Sequence, residues 1–289
     1  MEQSKIQWTD NTFNPWIGCS KVSPGCKNCY AEADMDNRRK RVVWGVNGTR
    51  SVTSYAYWRQ PLKWDRDAAA AGIKTKVFCS SLADVFEYWE GQVVDSKNNL
   101  LWWWDENSTM PYSGTGVDVQ GMPTFSHQNE KNDIFNVPLT LNAIRTYLFW
   151  LIEQTTNLYW LLLTKRPENI MQMVPDRWKD KFPENVWIGT SVENQEMANE
   201  RLPILATIPA AVKFMSGEPM LEKVSLKGLR KPDWVIVGGE SGSNKRPFDA
   251  EWARCLKDEC EELAISFFMK QIDKVQPIPD DLMIRQFPL

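Results

Sequence analysis

The stretch Gly18–Tyr30, GCSKVSPGCKNCY, limits what this chain can fold into more than any other part of it. Cys19, Cys26 and Cys29 stand in the spacing C-x6-C-x2-C, with Pro24 and Gly25 punctuating a loop otherwise filled by polar residues. A pair of cysteines separated by two residues has a narrow bite suited to one metal centre, and the third reaches back across a turn. Three protein ligands leave a fourth coordination position open, and an open position is where chemistry takes place. The loop by itself supports two readings. One is an iron–sulfur cluster. The other is a zinc clip that borrows a fourth ligand, with Asp10, Glu32 and Cys79 as candidates.

The rest of the inventory narrows the function classes. The 289 residues are 43% hydrophobic and 25% charged, as in an ordinary soluble globular protein. No apolar run approaches the ~20 residues of a membrane span, and the start, MEQSKIQWTD, has no signal-peptide core. Six cysteines, three of them clustered, then argue for metal binding in a reducing, cytoplasmic setting rather than for disulfides. His127 is the single histidine, which excludes histidine-rich metal sites and histidine triads. A net charge of -3 gives no global attraction to nucleic acid, so any such contact has to be local. The basic run Arg38-Arg39-Lys40-Arg41 is the place for one; its plainer reading is a solvated helix end. Cys255 and Cys260 lie five positions apart on one helix and point about 140° away from each other, so they make a poor chelate. With Cys79, inside an apolar run, they read as core residues.

Short apolar runs recur along the chain, each leading into a polar cluster. Lys76–Cys79 runs into Ser80, Ser81 and Asp84; Tyr159–Leu163 into Thr164-Lys165-Arg166; Val186–Gly189 into Thr190-Ser191-Val192-Glu193. Val212–Met215 leads to Ser216-Gly217-Glu218-Pro219, Trp234–Val237 to Gly238-Gly239-Glu240-Ser241, and Ser266–Met269 to Lys270-Gln271. Runs of this kind suit strands buried on both faces of a parallel sheet. Helical patterns lie between several of them, over Pro61–Ala71, Leu139–Glu153, Gln195–Ala206 and Asp249–Ala264. With an extended segment over Ile6–Trp16 and a helix over Tyr30–Arg41, the chain reads as one α/β domain, residues 1–289, built as a full or partial (β/α) barrel. Chemistry in such barrels collects where strands end, which is where the polar clusters fall. Residues 87–136 break the pattern and read as an irregular insertion, a lid or flap, in which Trp102-Trp103-Trp104 either stacks on bases or anchors the insertion.

A three-cysteine loop after a first strand, on such a barrel, resembles the radical S-adenosylmethionine enzymes. The chain is more closely similar to a phage and prophage family of unassigned activity. The residues that carry this resemblance are Trp8-Thr9-Asp10, Asn14-Pro15, Gly18-Cys19 through Cys29-Tyr30-Ala31-Glu32, Leu163 through Pro167, Asn185 through Gly189, Ser191-Val192-Glu193, Glu218-Pro219, Asp233 through Gly242, Arg246-Pro247, Phe267-Phe268 and Lys270-Gln271. The usual radical-enzyme spacing is C-x3-C-x2-C with an aromatic before the third cysteine. Here the first spacer is six residues, and Asn28 takes the aromatic's place.

The resemblance implies a [4Fe–4S] cluster on Cys19, Cys26 and Cys29, with S-adenosylmethionine on the fourth iron and one electron from an external donor. The 5′-deoxyadenosyl radical so released would abstract hydrogen from a C–H bond. Ser191, Glu193, Glu218, Gly239, Glu240, Ser241 and Lys270 are the candidate cofactor contacts. Lys165, Arg166, Arg38 and Arg39 are the candidate substrate contacts. The expected substrate is a nucleobase, nucleotide or nucleic acid, as in phage DNA modification, in the host cytoplasm and without a membrane. The rival from another class is a non-catalytic zinc-binding barrel that serves as a partner-binding module.

Overall fold

A computed structural model describes residues 4–103, 137–242 and 244–288. Seven strands form its main sheet: β1 (Asn11–Thr12), β2 (Thr75–Cys79), β3 (Leu158–Thr164), β4 (Val186–Ser191), β5 (Val212–Gly217), β6 (Trp234–Gly238) and β7 (Ser266–Gln271). They lie side by side in chain order, and each neighbouring pair is parallel. Parallel neighbours need long crossovers. Here α1 (Gln60–Ala71), α2 (Leu141–Gln154), α3 (Gln195–Thr207) and α4 (Ala250–Glu262) precede β2, β3, β5 and β7. Their ends follow the sequence signals. The Asn194 and Asp249 side chains accept from the amides of Met197 and Glu251 at the starts of α3 and α4. Gly72 closes α1 in the left-handed region at φ 65°.

From β2 to β7 the strands bury side chains on both faces, alternating with a period of two. Val77 and Cys79 on β2, Trp160 and Leu162 on β3, and Val235 and Val237 on β6 pack toward the helices. The alternate residues Phe78, Leu161, Trp187, Phe214, Trp234, Ile236 and Phe268 form a second core on the other face, joined there by Trp8 from the segment ahead of β1. The Trp8 ring lies 4.5 Å from Phe78 on β2 and 6.2 Å from Trp234 on β6, centroid to centroid. In a flat sheet, strands four places apart are about 19 Å from each other at ~4.8 Å per strand. One indole reaching both therefore means that the sheet curls around it. Gly189 clears the space, since a Cβ there would meet the Phe214 ring at 2.3 Å. The result is a half-barrel. Its edge strands β1 and β7 do not pair with each other among the described residues, so the barrel is partial rather than full.

Three local expectations change. Only Asn11–Thr12 of the Ile6–Trp16 segment joins the sheet; past Pro15, which has no N–H for a ladder, Trp16–Ile17 pairs antiparallel with Ser51–Val52. The helix expected over Tyr30–Arg41 is a short α-turn, Tyr30–Glu32, that widens into a π-helix over Ala33–Arg38. The start of the supposed insertion is part of the core: Glu87, Val93 and Leu101 are buried, and Trp102–Trp103 pairs antiparallel with Val137–Pro138. The rest of that stretch, with Trp104, Gly114, Gly116, Gly121 and His127, lies outside the described residues. No helix among the described residues is long and apolar enough to cross a membrane.

Trp8 is 1% exposed and fills the centre of the concave core. Trp8→Ala is expected to cost about 3–5 kcal/mol of stability, as large-to-small changes of buried aromatics do. Urea unfolding followed by circular dichroism measures it.

Candidate functional site

Above the aromatic floor, the C-terminal ends of the strands and the cysteine loop enclose a cavity of about 190 Å³. Cys19, Cys26 and Cys29 all line it, together with Lys165, Ser191, Ser216, Glu218 and Lys270. Tyr30 and Trp44 add aromatic surface. A larger cavity of about 600 Å³, lined by residues such as Arg41, Thr53, Tyr55 and Tyr57, contains none of the cysteines. The smaller one holds the reactive groups.

Buried carboxylates grip the cysteine loop at three points. At its start, Glu87 accepts from the Ser20 amide at 2.8 Å and pairs with Arg50 through two bonds of 2.7 and 2.8 Å. Arg166 bridges from Asp84, at 2.8 Å, to the Ser20 carbonyl, at 2.9 Å, and places an N–H 3.7 Å from the Cys19 sulfur. In the middle of the loop, Glu193 accepts from the Gly25 amide at 3.1 Å and is held from behind by Arg201 at 3.1 Å. A Cβ on Gly25 would stand 3.0 Å from the Glu193 carboxyl carbon, so the grip depends on glycine there. At the end, Glu240 accepts from Asn28 at 3.0 Å and is paired with Arg246, whose guanidinium also donates to the Pro24 carbonyl at 3.1 Å.

Residues 3–97 and 121–281 match a family described as a protein of unknown function, DUF5131. The chain belongs to the DUF5131 family. No curated protein and no solved structure matches it. The break in the match, between residues 97 and 121, falls inside the stretch read from sequence as an insertion.

The DUF5131 site brings some of the expected residues together and sends others elsewhere. Glu218 lines the cavity, accepts from the Trp8 indole N–H at 3.1 Å and pairs with Lys270 at 2.6 Å. Lys165 donates to the Ser191 hydroxyl at 3.0 Å. Glu193 and Glu240 are committed to the loop, and Arg166 to Asp84 and Ser20, rather than presented as free ligand contacts. Gly239 packs under β7, where a Cβ would lie 2.1 Å from the Ile272 carbonyl, and is not part of the cavity lining; neither is half-buried Ser241. Arg38 and Arg39 share Asp34 on the exposed π-helix, away from the cavity lining. Among the candidate fourth ligands, Asp10 accepts from the Lys76 amide at 2.7 Å, Glu32 pairs with Lys21 at 2.6 Å, and Cys79 is buried among core side chains.

Burial pushes the Cys19 thiol up to about 12; Glu87 and Asp84 add to the rise, while Arg166 opposes it. Burial also raises the Cys29 thiol, against the backbone amides of Glu32 and Ala31. Such thiols are protonated at neutral pH, so binding a metal there would release protons. Three thiols on one cavity, with Arg166 and Lys165 beside them, fit a thiophilic group of negative overall charge. Among the described residues, no three Cys, His, Asp or Glu side chains are grouped so that they could hold a metal ion, and the three thiols line the cavity without converging on one point.

Sequence reasoning missed Arg50, Glu87, Arg201 and Arg246 as parts of the site. Their signal was weak because each is a single charged residue far along the chain from the loop it serves.

Burial would raise the Glu193 carboxyl, but Lys165, Arg201, Ser23 and the Gly25 amide hold it below its ordinary 4.5. Glu193 therefore adds stability that is fully present above pH 4.5 and is lost as pH falls through its lower folded value. The unfolding free energy of wild type is expected to fall more steeply below pH 4.5 than that of Glu193→Gln. Urea titrations at several pH values test this; parallel curves for the two proteins would remove the loop-holding role.

Proposed function

We propose that this chain is a radical S-adenosylmethionine enzyme. The observation that carries the reading is that Cys19, Cys26 and Cys29 all open on one cavity at the C-terminal ends of a parallel half-barrel, on a loop gripped at three points. When bound, a [4Fe–4S] cluster with S-adenosylmethionine supplies a radical able to take hydrogen from a C–H bond. The chain's own residues do the rest. The three thiolates would hold the irons. Arg166 orients Cys19 and offsets its negative charge. Glu218 is the cavity carboxylate available to an ammonium or a hydroxyl group, and Lys270 balances its charge. The Trp8–Trp234 pair closes the cavity from below with apolar surface.

Anaerobic reconstitution with iron and sulfide, followed by an iron count and an absorption spectrum, tests the cluster. Wild type is expected to hold about four irons and Cys26→Ala few or none. A colourless protein with one zinc would replace this reading with the partner-binding zinc barrel.

For the substrate we propose a nucleic acid or nucleotide. The segment Ala33–Arg41 carries Asp34 and Asp36 against Arg38, Arg39, Lys40 and Arg41, which leaves a local excess of positive charge on an exposed turn. DNA binding is expected to weaken steeply with salt and to drop in Arg38→Ala/Arg39→Ala. A filter-binding series from low to high salt measures both; absence of binding at low salt would remove nucleic acid as substrate.

A further inference from the structure

The basic run from Arg38 to Arg41 does not stay together in the fold. The side chains of Arg38 and Arg39 are 70% and 56% exposed and share Asp34. Lys40 then takes the left-handed region at φ 52°, and the chain doubles back, with the Arg41 amide donating to the Met35 carbonyl at 2.8 Å. Val42 is buried in a small core with Ile17 and Met35. Arg41 is thereby drawn inward and stands half-buried on the wall of the cavity of about 600 Å³. It has no ion-pair partner among the described residues, and its Nε is shielded from solvent without a hydrogen bond.

The same cavity has a second unpartnered group. The Tyr55 hydroxyl is also shielded from solvent and makes no hydrogen bond among the described residues. A polar atom removed from water without a partner costs stability, and a ligand that supplies the partner removes the cost. Asp95, the one carboxylate on the described lining, is engaged by its own turn. It accepts from the amides of Lys97 and Asn99 at 2.7 and 2.9 Å and from the Asn99 side chain at 3.1 Å. Ile17, Val52, Leu82 and Leu101 add apolar surface. A cavity of this size and mixed lining is of the kind that holds small molecules. It contains none of the cysteines and, among the described residues, shares only Leu82 with the cavity that does.

A guanidinium is a planar fork matched to a phosphate or a carboxylate, and a tyrosine hydroxyl is a further donor to either. We propose that this second cavity binds a small amphipathic anion, an apolar or aromatic body bearing one phosphate or carboxylate, through Arg41 and Tyr55. The radical reading makes no use of this cavity. Binding is therefore measured in cluster-free, thiol-reduced protein, while the iron count judges the cluster separately.

Two probe pairs distinguish the two sources of the anion: AMP against adenosine, and phenylacetate against phenylacetamide. Titration calorimetry is expected to show wild type favouring the anionic member of at least one pair by about tenfold, the scale of a charge-assisted contact. A response in the AMP pair identifies phosphate; a response in the phenylacetate pair identifies carboxylate. Arg41→Met, which keeps the bulk and removes the charge, is expected to erase the preference. Tyr55→Phe is expected to weaken binding of the favoured anion about fivefold, the scale of one hydrogen bond. No preference in wild type, a full preference surviving in Arg41→Met, or unchanged affinity in Tyr55→Phe overturns the site. Circular dichroism confirms that each variant is folded; should Arg41→Met fail that check, wild type and Tyr55→Phe decide the matter.

Discussion

The grip of buried carboxylates on the cysteine loop is the interaction on which the site depends. A loop rich in polar residues and punctuated by proline and glycine has no core of its own. Its shape comes from Glu87 at Ser20, Glu193 at Gly25 and Glu240 at Asn28. Each of these anions is in turn held by an arginine, Arg50, Arg201 or Arg246. Buried ion pairs add little net stability, because desolvation offsets most of their attraction, yet losing one partner leaves an uncompensated charge. Their service here is one of position: they hold three thiols over one cavity.

The half-barrel makes those grips possible. Parallel strands in sequence order put all C-terminal ends on one side, so residues far apart in the chain meet there. The aromatic core on the concave face, centred on Trp8 and Trp234, sets the curvature. Trp8 links the two levels, since its ring packs in the floor while its N–H donates to Glu218 in the cavity above. Packing below and electrostatics above are thereby tied through one side chain.

Much of the fold was legible in the sequence. The six apolar runs from Lys76 to Met269 are six of the seven strands, because a strand buried on both faces needs continuous apolar residues. Asn194, Asp249 and Gly72 marked helix ends through capping chemistry that acts over only a few residues. The β1 segment was overextended, because two residues of strand carry too little pattern to bound. The burial of Glu87, Val93, Val94 and Leu101, at the start of the stretch read as an insertion, was not legible, since contacts with Arg50 and Leu139, far away in the chain, create it.

The sequence by itself determined the three thiols, their spacing and their place among polar strand ends, because these follow from residue type and local periodicity. Only the tertiary structure decided which charges serve the loop and which face the cavity. Glu193, Glu218 and Glu240 look alike as strand-end glutamates in the sequence. The fold gives the first and last to loop amides and arginines, and leaves Glu218 in the cavity beside Lys270. Lys165 and Arg166 are adjacent in the chain, yet among the described residues Arg166 pairs with Asp84 while Lys165 donates to the Ser191 hydroxyl. Charge pairing is decided by distance in space, and those distances exist only once the sheet has curled.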